Sequence, residues 1–379
     1  MRYFLSPHCA LKQLEHPSVY NMRSDELYEL DEPAFAFLQR CADEEGCSPE
    51  GCDKEFLEYT LKEGILTDRR VKAKRPPVKK SPEPSLRYLE LQITTRCNLR
   101  CRHCYIGSPE DAELSLEAIK NVLSEFEEMQ GLRLLISGGE PLLHRKFHEI
   151  NNLLPDYAFR KILFTNGILI SREGISSLNV DEIQISVDGL ESGHDALRGK
   201  GTFKKAMNGI KMALDAGFDV SVSTMVHSMN LDEFDGMERL LRGMGIKDWS
   251  VDVPCLEGNL RDNPLVHLQP EIAGKYLRYG FGGGLHAGDE GFACGLHLAS
   301  VTAGGKVARC TFYRDASVGS VDEGLDVCWR RIEPVRLDEL ECDCDVREAC
   351  RGGCRYRAGL LGNGLGKDIY RCFAYGVNK

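Results

Sequence analysis

The chain has no apolar run approaching the ~18–20 residues needed to cross a bilayer, so no membrane-spanning role is expected. Its first residues, MRYFLSPHCALK, have neither an apolar core nor a small-residue cleavage site, and no secretory signal is expected there. Positive charge is also in short supply. A formal net charge of −10 over 379 residues argues against nucleic acid as the main partner, because phosphate binding wants a basic face. Apolar residues are not lacking. A hydrophobic fraction of 42% is ordinary for a folded protein, and the length allows two or three domains. These features together describe a cytoplasmic protein.

Cysteine is the residue in excess. There are 16, and without a route to export a disulfide scaffold is not expected, since the cytosol keeps thiols reduced. In that compartment clustered cysteines bind metal or carry redox chemistry. Three lie within residues 97–104 and eight between 294 and 372, which suggests metal sites rather than scattered core thiols. Cys9, Cys41, Cys47 and Cys52 are loosely spaced and are read as ordinary thiols.

Residues 69–86, opening RRVKAKRPPVKKSPEPS, are basic and proline-rich and read as an extended linker. Before it, SVYNMRSDELYELDEPAFAFLQRC predicts a strand pair and a helix, and EFLEYTLKEGIL a second helix through Phe56, Leu57, Leu61 and Ile65. After it, candidate strands at 88–93, 132–136, 161–164, 182–187, 219–226 and 249–254 alternate with helical segments. In LSLEAIKNVLSEFEEM, apolar residues at 116, 119, 122, 123 and 126 keep a helical period. Six such repeats predict an α/β fold of parallel strands with right-handed crossovers, open or closed into a partial (β/α)6 barrel. Its chemistry is expected at the C-terminal strand ends. The expected units are 1–68, a linker at 69–86, the barrel at 87–262 and a cysteine-rich extension at 263–379.

The first barrel strand runs into TTRCNLRCRHCY, so Cys97, Cys101 and Cys104 offer three thiolates within eight residues. Three thiolates leave one iron of a four-iron cluster free for a small molecule. The other option is structural zinc, with His103 as fourth donor. Ser137-Gly138-Gly139-Glu140-Pro141 follows the second strand, Thr165-Asn166-Gly167 the third, and Ser186 and Asp188 end the fourth, with Arg198 beyond.

This order of motifs resembles the radical S-adenosylmethionine (SAM) superfamily. The resemblance implies a [4Fe–4S] cluster on Cys97, Cys101 and Cys104 that binds SAM and cleaves it to methionine and a 5′-deoxyadenosyl radical. It implies that Ser137, Gly138, Gly139 and Glu140 meet the methionine amino group. Thr165 and Asn166 then line the nucleoside, Ser186 and Asp188 bond the ribose, and Arg198 meets the carboxylate. A small electron donor such as flavodoxin or ferredoxin is the implied partner.

The tail resembles the SPASM extension of that superfamily, which binds one or two auxiliary iron–sulfur clusters. By resemblance Cys294, Cys310 and Cys354 belong to the first, and Cys342, Cys344, Cys350 and Cys372 to the second. The chain departs from the pattern in Cys342-Asp343-Cys344, where the family usually has two intervening residues, and in the missing fourth cysteine of the first set. His297, an aspartate or water are candidates for that place. Cys255, ending the sixth strand, is either a hydrogen donor to a substrate radical or a buried apolar thiol.

SPASM enzymes mostly modify peptides, and residues 1–68 resemble small winged-helix elements that grip a leader peptide by strand addition. The implied function is modification of a short precursor peptide by thioether, carbon–carbon crosslink or epimerisation. A tetrapyrrole side-chain-modifying enzyme is the alternative. A sulfatase-maturing role resembles CTFY at 310–313, but Thr311 stands where that branch has an aspartate base, and a hydroxyl does not replace a carboxylate near neutral pH. A multi-cluster electron carrier would leave the nucleoside-type motifs without a purpose.

Overall fold

The computed structural model describes residues 2–73, 75–107, 111–284 and 291–377. Short antiparallel strands organise the start. β1 (Phe4–Leu5) pairs with β5 (Leu66–Thr67), while β2 (Cys9–Gln13), β3 (Pro17–Asn21) and β4 (Glu26–Glu29) form a three-stranded sheet in that order. Helices α1 (Glu32–Cys41) and α2 (Lys54–Lys62) start where the Asp31 and Asp53 carboxylates accept the Ala34 and Phe56 N–H groups. Phe35, Phe37 and Leu38 of α1 close a small core with Leu5, Leu11 and Val19. The expected strand pair is β3–β4, and β2 precedes it. One expectation is corrected: Cys41 and Cys47 are not ordinary thiols but are joined in a disulfide, with Cα atoms 4.7 Å apart. The turn after α1 returns the chain so that Cys47 bridges Tyr3, which holds it beside the helix end.

The described residues of the segment 69–86 form no helix, and they are tied down. Arg75 donates to the carbonyls of Leu5 and Cys9 at 2.6 and 2.7 Å, Ser81 N–H to Gln13 at 2.8 Å, and Arg87 to Glu15 at 2.8 Å. The small unit therefore sits firmly against the rest of the chain. Lys12 Nζ, buried, donates to the carbonyls of Gly131 and Ala158 at 2.8 and 2.9 Å.

The large sheet holds six parallel strands, β6 (Tyr88–Thr94), β7 (Arg133–Gly138), β8 (Arg160–Thr165), β9 (Glu182–Ser186), β10 (Asp219–Met225) and β11 (Asp248–Asp252), in sequential order. Helices α3 (Leu116–Glu128), α4 (Phe147–Leu153), α5 (Arg172–Ile175), α6 (Glu191–Arg198), α7 (Thr202–Asp215) and α8 (Phe234–Gly243) cross between them. Helix α3 buries the predicted stripe of Ile119, Val122, Leu123 and Phe126, at roughly 1.5–3 kcal/mol per side chain. Alternate strand residues, among them Leu89, Leu91, Ile93, Ile136, Leu163, Ile183, Ile185 and Val222, face those helices in the main core. The residues between them form an inner face that mixes apolar Leu135, Ile162 and Phe164 with polar Glu90, Gln184, Ser186 and Ser223.

Beyond β6 the sheet continues into β12 (Leu298–Val301), parallel to it, and then antiparallel β13 (Lys306–Ala308) and β14 (Gly319–Ser320). Residues 298–320 thus share one sheet with the strands that precede residue 262. The edge of β6 would otherwise show unpaired backbone groups, and the C-terminal segment satisfies them.

The N-terminal unit meets the barrel where Arg160, almost fully buried, donates to Met22 O and to the carboxylates of Glu182 and Asp219 at 2.7–2.9 Å. Removing one partner of such a buried set strands the others. Arg160→Met is expected to destabilise the protein by about 3–5 kcal/mol, read as a lower denaturation midpoint, and Arg160→Met/Glu182→Gln to recover part of that loss.

Candidate active site

At the C-terminal end of β6 the chain leaves the sheet and turns through the three cysteines. Leu99 N–H points at Cys97 Sγ at 3.4 Å, Cys104 N–H at Cys101 O at 3.2 Å, and Arg102 N–H at Leu197 O at 3.0 Å. Asn259 clamps the loop from the β11 side through its side chain to Cys101 O and its N–H to Cys104 O, both at 2.9 Å. Gly258 permits that clamp: it has φ +52°, and a Cβ there would lie 2.6 Å from Tyr105 O. Gly138 and Gly139 serve the same purpose from β7. A Cβ on Gly139 would meet the carbonyls of Thr95 and Arg96 at 2.5 Å, and one on Gly138 would strike Thr94 O. These glycines let the cysteine loop lie on the end of β7.

A cavity of about 590 Å³ opens beneath the loop. Cys97, Cys101, Cys104, Ser137, Gly138, Gly139, Thr165, Asn166, Ser186 and Arg198 all line it, so most of the predicted site is brought together. Asn166 is oriented by its amide donating to Asn98 at 2.8 Å. Arg198 donates to Asp188 at 2.5 Å and reaches Cys101 Sγ at 4.0 Å. Burial pushes the Cys101 thiol up to about 11, against the pull of that guanidinium.

Two of the residues expected to meet the ligand lie off the cavity wall. Asp188 is fully buried off the cavity wall, its carboxylate taken by Arg198 and by Met225 N–H at 2.8 Å. Burial alone would raise its pKa, yet Arg198 and then His103 hold the carboxyl well below the usual range. Glu140 is likewise buried away from the cavity, accepting Thr165 Oγ1–H at 2.8 Å and Asn166 N–H at 2.9 Å. It staples the ends of β7 and β8 together, and burial raises its carboxyl to about 7 against those hydrogen bonds. Both residues position cavity groups. His103 turns from the thiols toward Asp188, with Nε2 3.7 Å from the carboxylate.

Several cavity residues were missed in the sequence: Glu90 of β6, Gln184 of β9, and Ser223 and Met225 of β10. Their signal was available. Polar residues alternating with Leu, Ile and Val in central parallel strands mark a face turned to a wet interior, since both faces of such strands are usually apolar.

The C-terminal cysteines form two groups. Cys310 is pushed up to about 12 by burial and then by the charges of Cys294 and Cys354. Cys372 is pushed up to about 11 by burial and then by Cys350, with Cys342 and Cys344 also contributing. Cys255 lines the cavity, and its thiol is hydrogen-bonded with that of Cys354, which with Arg357 lowers the Cys354 pKa. His297 is engaged elsewhere, its Nδ1 2.9 Å from Ser85 O. Among the described residues, no three His, Cys, Asp or Glu side chains close round a point that would hold a single metal ion.

Residues 91–241 match the radical SAM superfamily. Mycofactocin maturase MftC of Mycolicibacterium smegmatis is 33% identical over 306 residues, spanning 70% of this chain and 77% of that protein. The chain belongs to the radical SAM superfamily. This radical SAM enzyme is also 25% identical over 328 residues to an AdoMet-dependent heme synthase of Oleidesulfovibrio alaskensis, spanning 72% of this chain and 84% of the relative. SuiB of Streptococcus suis, solved with S-adenosylmethionine, shares the fold at a TM-score of 0.66 and 14% identity, over 97% of this chain and 100% of that one.

Membership implies a [4Fe–4S] cluster and SAM, and the site fits both. Three thiols on one clamped loop border a cavity that continues over polar strand ends, with a guanidinium beside one sulfur.

The Asp188–Arg198 pair gives a test of position against contact. Asp188→Asn leaves Arg198 buried without its counter-charge, and a loss of about 3–5 kcal/mol is expected. The cofactor-free protein should melt at a clearly lower temperature. A residue that only touched ribose would leave that melting temperature unmoved.

Proposed function

We propose that this radical SAM enzyme matures a short ribosomally made peptide by abstracting hydrogen from a residue held at the cavity. The observation that carries this reading is the 33% identity to mycofactocin maturase MftC over 77% of that protein. The N-terminal unit supports it. Strand β4 pairs only with β3 among the described residues, and an open strand edge accepts an extended peptide as one more strand. We read this unit as the winged-helix-like leader-binding element, and the enzyme as cytoplasmic.

Cys97, Cys101 and Cys104 would hold the cluster, and the 137–139 backbone, Thr165, Asn166, Ser186 and Arg198 would hold SAM. When bound, this pair supplies the radical that takes a hydrogen atom from the substrate. Cys342, Cys344, Cys350 and Cys372 would hold one auxiliary cluster. For the other, the contact between Cys255 and Cys354 argues that Cys255 is the missing fourth thiolate beside Cys294 and Cys310. That assignment replaces both the hydrogen-donor reading of Cys255 and the ligand reading of His297.

A second reading, modification of a tetrapyrrole side chain, is favoured by the similarity to AdoMet-dependent heme synthase. Anaerobic incubation of the reconstituted enzyme with SAM, reductant and either a precursor peptide or an iron porphyrin separates the two. A peptide lighter by two hydrogens, or one that gains solvent deuterium, is expected by mass spectrometry. Conversion of the porphyrin with the peptide untouched would reverse the order. Cys101→Ala should abolish 5′-deoxyadenosine formation.

The auxiliary assignment is checked by iron analysis. Cys255→Ala should lower iron per chain as much as Cys354→Ala does, and the double variant should lose no more than either. Full iron in Cys255→Ala would return that thiol to a structural role.

A further inference from the structure

Buried carboxylates in this protein are, as a rule, each claimed by an arginine. Asp188 is held by Arg198, Glu182 by Arg160, Asp368 by Arg357 and Glu257 by Arg261, at 2.5–2.9 Å. Glu140 lacks such a partner but lies off the cavity wall, where it accepts hydrogen bonds that join two strand ends. Glu90, half-buried, also lacks an arginine, in a different place. It lies on the inner face of β6 and lines the cavity. Its partners are the hydroxyls of Ser137, at 2.8 Å, and Thr311, and the amide of Gln92, with no cation among them.

We propose that Glu90 is the proton acceptor for the substrate in this cavity, taking a proton from an N–H, O–H or S–H group of the bound molecule. In that step the heteroatom–hydrogen bond breaks heterolytically and its electron pair stays on the substrate. The proton moves to the carboxylate, which becomes the neutral acid and later releases it to solvent. No electron leaves the substrate in this step.

Position supports the assignment. Ser137 belongs to β7, and Thr311 follows Cys310, so Glu90 stands between the cysteine loop and the first C-terminal cysteine group. Gln92 donates to the Tyr105 hydroxyl at 2.8 Å, and Arg314 donates to Tyr105 O at 2.7 Å, which fixes the wall around it. The titratable and charged groups facing this corner are Tyr105, Cys104 and, behind Tyr105, Arg314. A carboxylate that served only the fold would cost less if paired or replaced by an amide. Burial raises the Glu90 carboxyl to about 7, so near neutral pH it is poised both to accept and to release a proton.

The inference rests on reading the cavity as the substrate site, and holds for either substrate class. The test uses reconstituted Glu90→Gln and Glu90→Asp with whichever of the peptide and the porphyrin the wild-type enzyme converts. Product formation by Glu90→Gln is expected to fall about 10²-fold or more. The ratio of 5′-deoxyadenosine to product should rise at least tenfold, and Glu90→Asp should restore part of the product. Wild-type product formation should climb with pH through the neutral range, and that limb should flatten in Glu90→Gln. In the cofactor-free protein, the carboxylic-acid C=O infrared absorption that titrates near neutral pH should lose one component in Glu90→Gln, leaving that of Glu140. Unchanged product and pH profile, or an equal loss of 5′-deoxyadenosine and product, would overturn the proposal. Conversion of the porphyrin alone would overturn the peptide reading while still reporting on Glu90.

Discussion

The ion pair between Asp188 and Arg198 is the interaction on which the site depends. Asp188 leaves the end of β9 and is wholly buried, and its carboxylate joins three separate pieces of chain. Arg198, at the end of α6, is held on one oxygen and extends to Cys101, while Met225 N–H at the end of β10 occupies the other. His227 and Asn230 bond its backbone carbonyl at 2.9 Å, so the loop after β10 is fixed as well. A carboxylate buried this deeply stays ionised only because the guanidinium is beside it. The same guanidinium supports charge on the cysteine loop. Loss of either partner would disorganise thiols, strand ends and cavity wall together.

The second constraint is the division of faces in the parallel strands. Their outward residues pack under helices as an ordinary apolar core. Their inward residues mix Leu135, Ile162 and Phe164 with the polar Glu90, Gln184, Ser186 and Ser223, and a cavity remains among them. A sheet closed on itself would have to bury those groups without partners. This one stays open between β11 and β14, and the segment after β11 and the C-terminal cysteine region cover the gap.

Most of the barrel was legible in the sequence because its signals are local. All six parallel strands lie within two residues of the predicted spans, and the Cys97-x3-Cys101-x2-Cys104 spacing marks the loop. What escaped depends on side-chain direction and on distance in the chain. Spacing places Asp188 and Glu140 at strand ends but does not say that they turn inward to arginine and backbone partners. The contact of Cys255 with Cys354 spans about a hundred residues, and that of β12 with β6 about twice as many. The Cys41–Cys47 disulfide runs against what composition and compartment suggest. The polar alternation in LELQI and EIQIS was readable, and Glu90 and Gln184 follow from it.

The placement of the N-terminal unit sets a length condition on any peptide mechanism. Lys12, Asp25 and the Met22 carbonyl dock it to Gly131, Arg133, Ala158 and Arg160, which sit at the N-terminal ends of β7 and β8. The cavity lies at the opposite ends of the same strands. A strand of seven residues such as β6 spans about 20 Å. A leader added to the β4 edge therefore cannot present an adjacent residue at the cavity. The chain between the gripped segment and the modified residue must cover at least one strand length, roughly six extended residues, and more where it rounds the rim. On the proposed peptide reading, recognition and chemistry would be separated: the edge of β4 would select the leader, and spacer length would decide which residue reaches the cysteine loop. A tetrapyrrole has no such tether, so it would leave the β4 edge without a role. The firm docking of the unit that carries this open edge, at the far end of the barrel, is then easier to understand for a peptide than for a porphyrin.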